Sequence, residues 1–318
     1  MIDKIVSSIT PLEQTEKINE IISGLETAHN KLYQGVNLET KFADEIASAG
    51  NVYAWLNARK TAGNFEGICV GDYFYVSMSA GTIAGYSLAA QTFKCRIIGI
   101  NTYSHCGDSV IGNMFYIKSD QVIDTPIKWQ PTDNNNGTSV QTNPWLSSAA
   151  YAILNGVNNY NTANAYNKAA HGANGGSGVI GLLPAALRNV LKQKRMLLDQ
   201  RYSASGLLTN STGWGWGDGG KLWLPNEIEV YGCGIRSNLS QTSGYWFPEA
   251  GLSIQFPWFA NNCDNRISYN SSGSRCPWWL SAPASNSSTI VCIVNTYGYA
   301  DYITATYATI RLPLCFCI

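Results

Sequence analysis

Apolar residues recur with two different periods along the chain, and the change falls near residue 65. After Thr10-Pro11, where Pro suits a first helical turn and Thr a cap, Ile18, Leu25 and Leu32 recur every seven residues, with Ile21 and Ala28 between them. That spacing predicts an amphipathic helix ending near Gly35. Two heptads specify only a weak coiled coil, so the stripe serves equally for packing on the chain's own body or for self-association. A second helix is expected over Leu38 to Arg59.

From Gly67 the pattern shortens to strand-like runs rich in β-branched and aromatic residues: Ile68 to Met78, Phe93 to Ile100 and Met114 to Ile117. A helix is predicted to begin after Pro144-Trp145-Leu146, run through Ala149, Ile153 and Leu154, and stop before Gly156. Residues 156–178 read as loop. Leu182 to Leu198 carries a helical apolar stripe, with Arg188, Lys192, Lys194 and Arg195 on a solvated face. Strands are expected again at Leu222 to Tyr231, Tyr245 to Phe247, Leu252 to Phe259, Trp278 to Leu280, Ile290 to Asn295 and Thr309 to Phe316. Two helices among many hairpin-spaced strands make an α+β domain over residues 65–318, preceded by a helical segment at 1–64 for attachment or oligomerisation.

Composition narrows the function classes. The 318 residues are 45% hydrophobic and only 13% charged, with zero formal net charge, so no global basic field exists to hold nucleic acid. Residues 1–45 hold about a quarter of all charged side chains, which marks them as a different kind of segment. No apolar run approaches the roughly 20 residues that span a bilayer, and Met1 to Lys4 does not open a secretory signal. Folding in the cytoplasm of the producing cell is expected, without membrane insertion. The nine cysteines form no Cys-x-x-Cys pair and read as buried thiols, with no metal site and no cofactor.

Three candidate chemistries fail on spacing. Gly215 to Lys221 has the length of a phosphate loop, but Leu222 stands where a Ser or Thr would hold magnesium, and a strand, not a helix, is predicted to follow. Glu227 and Glu229 would share one strand face about 7 Å apart, yet paired glycosidase carboxylates flank a bond from opposite sides. His105, Cys106 and Asp108 are too close in sequence for the imidazole to activate the thiol, and His171 has no ligand partner at metal spacing.

Three runs, Leu222-Trp223-Leu224-Pro225-Asn226-Glu227-Ile228-Glu229-Val230-Tyr231-Gly232, Pro277-Trp278-Trp279-Leu280-Ser281-Ala282-Pro283 and Ile310-Arg311-Leu312-Pro313-Leu314, resemble in order and spacing the C-type-lectin-fold domains of phage tail-fibre and receptor-binding proteins. Some of these domains are variable proteins of diversity-generating retroelements. The chain departs from the family at Ser281, where Arg is usual, and at Leu312, inserted before Pro313. Residues 10–17 are similar to the start of phage structural proteins. The resemblance implies a C-type-lectin-like domain with Trp223, Trp278, Trp279, Ile228 and Leu314 in its core. It further implies a virion adhesin that binds a host-cell receptor, protein or glycan, through a displayed surface. The N-terminal helix would join other virion proteins or assemble a homotrimer. A structural decoration protein, or an enzyme of polysaccharide-active or formylglycine-generating type, is the alternative on this fold. Neither the cysteine motif of those oxidases nor the calcium-lectin sugar motifs occur.

The resemblance also implies where the surface lies. Adenine-directed mutagenesis converts Asn codons to Tyr, Ser, Thr and others but never to Lys, Glu, Gln, Met or Trp, and residues 259–277 and 280–318 contain none of these five. Strand and turn composition alone also disfavours Lys, Glu and Gln. Tyr, Ser and Asn on a rigid sheet resemble an antibody paratope. The expected exposed contacts are Tyr269, Asn270, Ser271, Asn286, Ser288, Asn295, Tyr297, Tyr299, Tyr302 and Thr304. Trp278, Trp279, Arg311 and Pro313 would hold the scaffold.

Overall fold

A computed structural model describes residues 11–104, 111–133, 144–146, 148–156, 177–199, 214–237, 254–284, 287 and 289–318. The chain divides into two units, residues 1–35 and 36–318. Among its described residues the first contains one helix, α1 (Pro11–Leu32), on which Leu12, Ile18, Ile21 and Ile22 are exposed. The division falls at 35/36, inside the segment read from the sequence as residues 1–64.

The second unit opens with three short helices, α2 (Leu38–Lys41), α3 (Ala43–Ala49) and α4 (Val52–Thr61), where one longer helix was expected. The breaks follow local chemistry: the Asn37 and Asn51 side chains cap α2 and α4, and Gly50 ends α3 in the left-handed region at φ 87°. Leu38, Ile46, Val52, Trp55 and Leu56 are buried in the main core, so these helices are part of the domain body.

Next come β1 (Tyr73–Met78), the small hairpin β2 (Gly81–Ile83) and β3 (Tyr86–Leu88), β4 (Gln91–Ile100) and β5 (Phe115–Val122). Strands β1, β4 and β5 pair antiparallel in the order β1-β4-β5, and β1 alternates Phe74, Val76 and Met78 inward against Tyr75 and Ser77 outward. Helix α5 (Ala149–Asn155) starts on the Ser148 cap and stops at Gly156, as predicted. Helices α6 (Gly178–Gly181) and α7 (Ala185–Val190) follow, then the paired strands β6 (Arg195–Asp199) and β7 (Trp214–Asp218). The single helix expected from Leu182 to Leu198 therefore ends at Val190, and Lys194 lies in the core, not on a solvated face.

The predicted strand from Leu222 to Tyr231 is extended only at its start. It becomes helix α8 (Glu227–Tyr231), because Asn226 and Glu229 form a capping box that closes the first turn. The segment expected as strand up to Phe259 includes helix α9 (Pro257–Asn261), with Pro at its first position. After α9 come β8 (Ser268–Tyr269), β9 (Arg275–Cys276), β10 (Trp278–Pro283), β11 (Ile290–Val294), β12 (Ala300–Thr304) and β13 (Pro313–Cys317). Strands β10, β11 and β12 form a second antiparallel sheet, and β13 returns to pair with β5. The architecture is α+β, with several small sheets. Nine α-helices occur among the described residues, five of them beyond residue 64, where two were expected.

Strand β13 separates two cores. Leu314 and Phe316 join the cluster of Phe74, Ile97 and Ile117, while Cys315 and Cys317 join Trp223, Phe256 and Trp278. Trp223, Trp278, Trp279 and Leu314 are fully buried and Ile228 nearly so, as expected. The described cysteines are thiols, but Cys263 is exposed and Cys69 and Cys233 half-buried, which corrects their reading as uniformly buried. Among the described residues no helix is long and apolar enough to cross a membrane.

Candidate functional site: the tyrosine hairpin

The turn joining β11 to β12 is built by its own sequence, Asn295-Thr296-Tyr297-Gly298-Tyr299. The Asn295 carbonyl oxygen of the side chain accepts from the N–H of Tyr297 at 2.9 Å and of Tyr299 at 3.0 Å. Gly298 adopts φ 83°, and a Cβ there would sit 3.3 Å from Ile267 Cγ1, so glycine serves both conformation and fit. The fixed turn presents Tyr297 and Tyr299 at 66% and 68% exposure, with ring centroids 6.4 Å apart and planes 31° from parallel.

Farther along β12, Tyr302 is exposed and the Arg236 guanidinium lies 5.2 Å from its ring centre. Arg236 arrives there through a second device. The fully buried Glu227 carboxylate accepts from the N–H of Ile235 (2.9 Å), Arg236 (2.8 Å) and Ser237 (2.7 Å), and from the Ser237 hydroxyl (2.7 Å). The loop thereby holds exposed Ile235 and Arg236 beside the hairpin. Underneath, the Tyr231 hydroxyl donates to the Gly298 carbonyl at 3.4 Å, and the Arg266 guanidinium lies 4.9 Å from the Tyr231 ring. Burial, then the Glu227 charge, pushes the Tyr231 phenol up, so it stays a donor at neutral pH. Strand β12 ends its sheet, and the Asp301 carboxylate accepts from the Tyr302 N–H at 2.9 Å, which blunts that edge against strand addition.

Of the ten expected contacts, Ser271, Tyr297, Tyr299 and Tyr302 are exposed, whereas Tyr269, Asn270, Asn295 and Thr304 are half-buried. Polar side chains in turns are drawn into the turn itself: Asn270 accepts from the Ser274 N–H and Ser272 hydroxyl, and Ser271 donates to Asp124. Asn286 and Ser288 lie outside the described residues. Tyr297, Tyr299 and Asn295 are brought together. No hydrogen bond or ring contact joins them to the Tyr269–Ser271 turn among the described residues. Ile235 and Arg236 escaped the sequence reading, since the run before them was taken as strand.

The other candidates resolve structurally. Glu229 is fully buried, accepting from the Tyr103 hydroxyl at 2.6 Å and the Asn226 N–H at 3.0 Å and pairing with Lys194. Both Glu227 and Glu229 are fully buried, and they sit on a helix, not on a shared strand face. The Gly215 to Lys221 run starts within β7 and leaves it after Asp218, and Leu222 bridges to Phe316 instead of opening a helix. His105, Cys106, Asp108 and His171 lie outside the described residues, among which no cluster of His, Cys, Asp and Glu is arranged to hold a metal. An open groove of about 620 Å³ between α3 and α4 has Ala49, Ala58 and Ala62 in its lining. On its polar wall Glu45 accepts from Trp55 Nε1 at 2.9 Å and pairs with Arg59 at 3.4 Å, while the buried Arg59 Nε has no hydrogen-bond partner among the described residues.

A family model described as a domain of unknown function, DUF6273, matches residues 209–318, the stretch that contains α8, the tryptophan strand β10, the tyrosine hairpin and β13. No curated protein and no solved structure matches the chain.

Proposed function

We propose that the chain is a phage virion adhesin, a tail-fibre or receptor-binding protein whose second unit is a C-type-lectin-like domain displaying the β11–β12 hairpin to a host-cell receptor. One observation carries the reading: Tyr297 and Tyr299 stand about two-thirds exposed on a turn that Asn295 and Gly298 make rigid. Rigid tyrosines offer large contact area with few torsions to freeze, and Tyr and Arg are the residues that dominate binding hot spots. What supports the lectin-like reading is the complete burial of Trp223, Trp278 and Trp279. In this reading α1 joins other virion proteins or a homotrimer, and exposed Ile18, Ile21 and Ile22 supply its apolar stripe. Trimeric display would multiply a weak contact by avidity. The domain acts by binding, without cofactor, nucleic acid or membrane insertion.

The test is binding of purified protein to host cells. Alanine at Tyr297, Tyr299 and Tyr302 together abolishes binding while the fold is kept. Undiminished binding by that variant overturns the site, and polysaccharide turnover by the wild type overturns the adhesin class. Light scattering on the whole chain addresses assembly, with a monomer contradicting the trimer.

A further inference from the structure

We propose that the hairpin face takes an acidic polysaccharide, with the Arg236 guanidinium receiving its carboxylate. This rests on the adhesin reading and adds the charge and chemical class of the ligand. Arg236 is exposed, lies over Tyr302, and has no carboxylate within ion-pair distance among the described residues. Its backbone is fixed by Glu227, so the cation is presented in one place and not on a wandering loop. A second guanidinium, Arg266, lies on Tyr231 beneath the same hairpin; its Nε has no hydrogen-bond partner, and its Nη2 reaches only the Phe259 carbonyl at 3.5 Å. The carboxylate on β12, Asp301, is turned to the Tyr302 N–H. The aromatic face is therefore flanked by two guanidinium groups without an ion-pair partner among the described residues, inside a chain of zero net charge.

Geometry selects a sugar over an extended peptide. A peptide adding to β12 needs the outward N–H groups of that strand, and the one at Tyr302 is already held by Asp301. The exposed Tyr297 and Tyr299 rings, 6.4 Å apart and tilted by 31°, offer two aromatic faces to the apolar faces of successive sugar rings. A guanidinium beside them matches a uronate carboxylate with two parallel hydrogen bonds.

The full chain is tested by biolayer interferometry against immobilised hyaluronate, alginate and polygalacturonate, with dextran as the neutral probe. The wild type binds at least one acidic probe and not dextran. Arg236→Gln weakens that binding about tenfold or more. Arg188→Gln, exposed on α7, removes the same charge and leaves binding unchanged. Binding to none of the acidic probes, equal binding to dextran, or equal losses in the two variants overturns the proposal. Cell binding separates the two levels: loss with the triple tyrosine variant but not with Arg236→Gln keeps the adhesin and removes the acidic ligand. Retention by the triple variant overturns the hairpin as the binding site, and the acidic-ligand proposal falls with it.

Discussion

Lys194 and Glu229 form an ion pair sealed inside the domain, their side chains 0% and 1% exposed. The ammonium also sits 4.5 Å from the centre of the Trp223 ring and within 6 Å of Tyr103 and Phe256. Glu229 is in turn the reciprocal member of the α8 capping box, so one carboxylate ties β6's approach, a helix start and the aromatic core together.

Removing one member of such a pair strands a charge. Lys194→Met is expected to destabilise the fold by about 3–5 kcal/mol in chemical denaturation. Adding Glu229→Gln, which keeps a capping side chain but no charge, recovers much of that loss. A loss under about 1 kcal/mol in the single variant would show that water reaches the pair.

Glu227 acts on the surface from within. Glu227→Gln turns an amide N–H₂ toward backbone donors and should cost roughly 1–3 kcal/mol. Hydrogen exchange should accelerate at Ile235, Arg236 and Ser237 while β4 and β5 stay protected. Unchanged exchange at those three amides would mean that the loop is held by something else.

Gly298→Ala forces a side chain into left-handed backbone and against Ile267. A loss of about 1–3 kcal/mol is expected, with weaker cell binding than Thr296→Ala, which leaves the turn glycine in place. Equal stability of the two variants would contradict the turn's rigidity.

Alkali should unfold the protein through its core acids. Burial pushes the Cys315 and Cys317 thiols up to about 12, and the Tyr53 phenol to about 12. An acid kept protonated by the fold binds more protons folded than unfolded, so its stabilisation is complete below its unfolded value and is lost as pH rises through the folded one. Lys118, lowered by burial, works in the opposite sense, losing its contribution as pH falls below 10.5. The melting temperature should therefore drop most steeply between about pH 10.5 and 12. Cys315→Ala with Cys317→Ala should flatten that limb, and an unchanged limb would assign it to the phenols alone.

The strands of the central sheet were legible because Phe74, Val76 and Met78 alternate with polar or exposed neighbours, and α5 because Ser148 and Gly156 bracket an apolar run. The stripe from Leu187 to Leu198 misled because strand and helix periods coincide over a few residues, and nothing local says that Lys194 has a partner 35 residues later. The start of α8 was written in the chain as Asn226 and Glu229, a capping signal that the surrounding aliphatic residues concealed. At the candidate site the tyrosines were legible by composition. Which turn residues spend their polar groups on themselves, and that Glu227 would carry Arg236 to Tyr302, depends on contacts that no local pattern encodes.

The place of β13 sets an order of events in time. Ser119 of β5 receives the Leu314 N–H at 2.9 Å across 195 residues, and β5 pairs with β13 from Tyr116 to Val122. During synthesis, β4 and β5 emerge long before the strand that covers their open edge, and every intervening segment, hairpin included, is made while that apolar edge waits. The domain should therefore mature slowly and late, needing protection by chaperones or low concentration until its last strand is inserted. Chains cut short before β13 should aggregate instead of presenting a half-formed binding face.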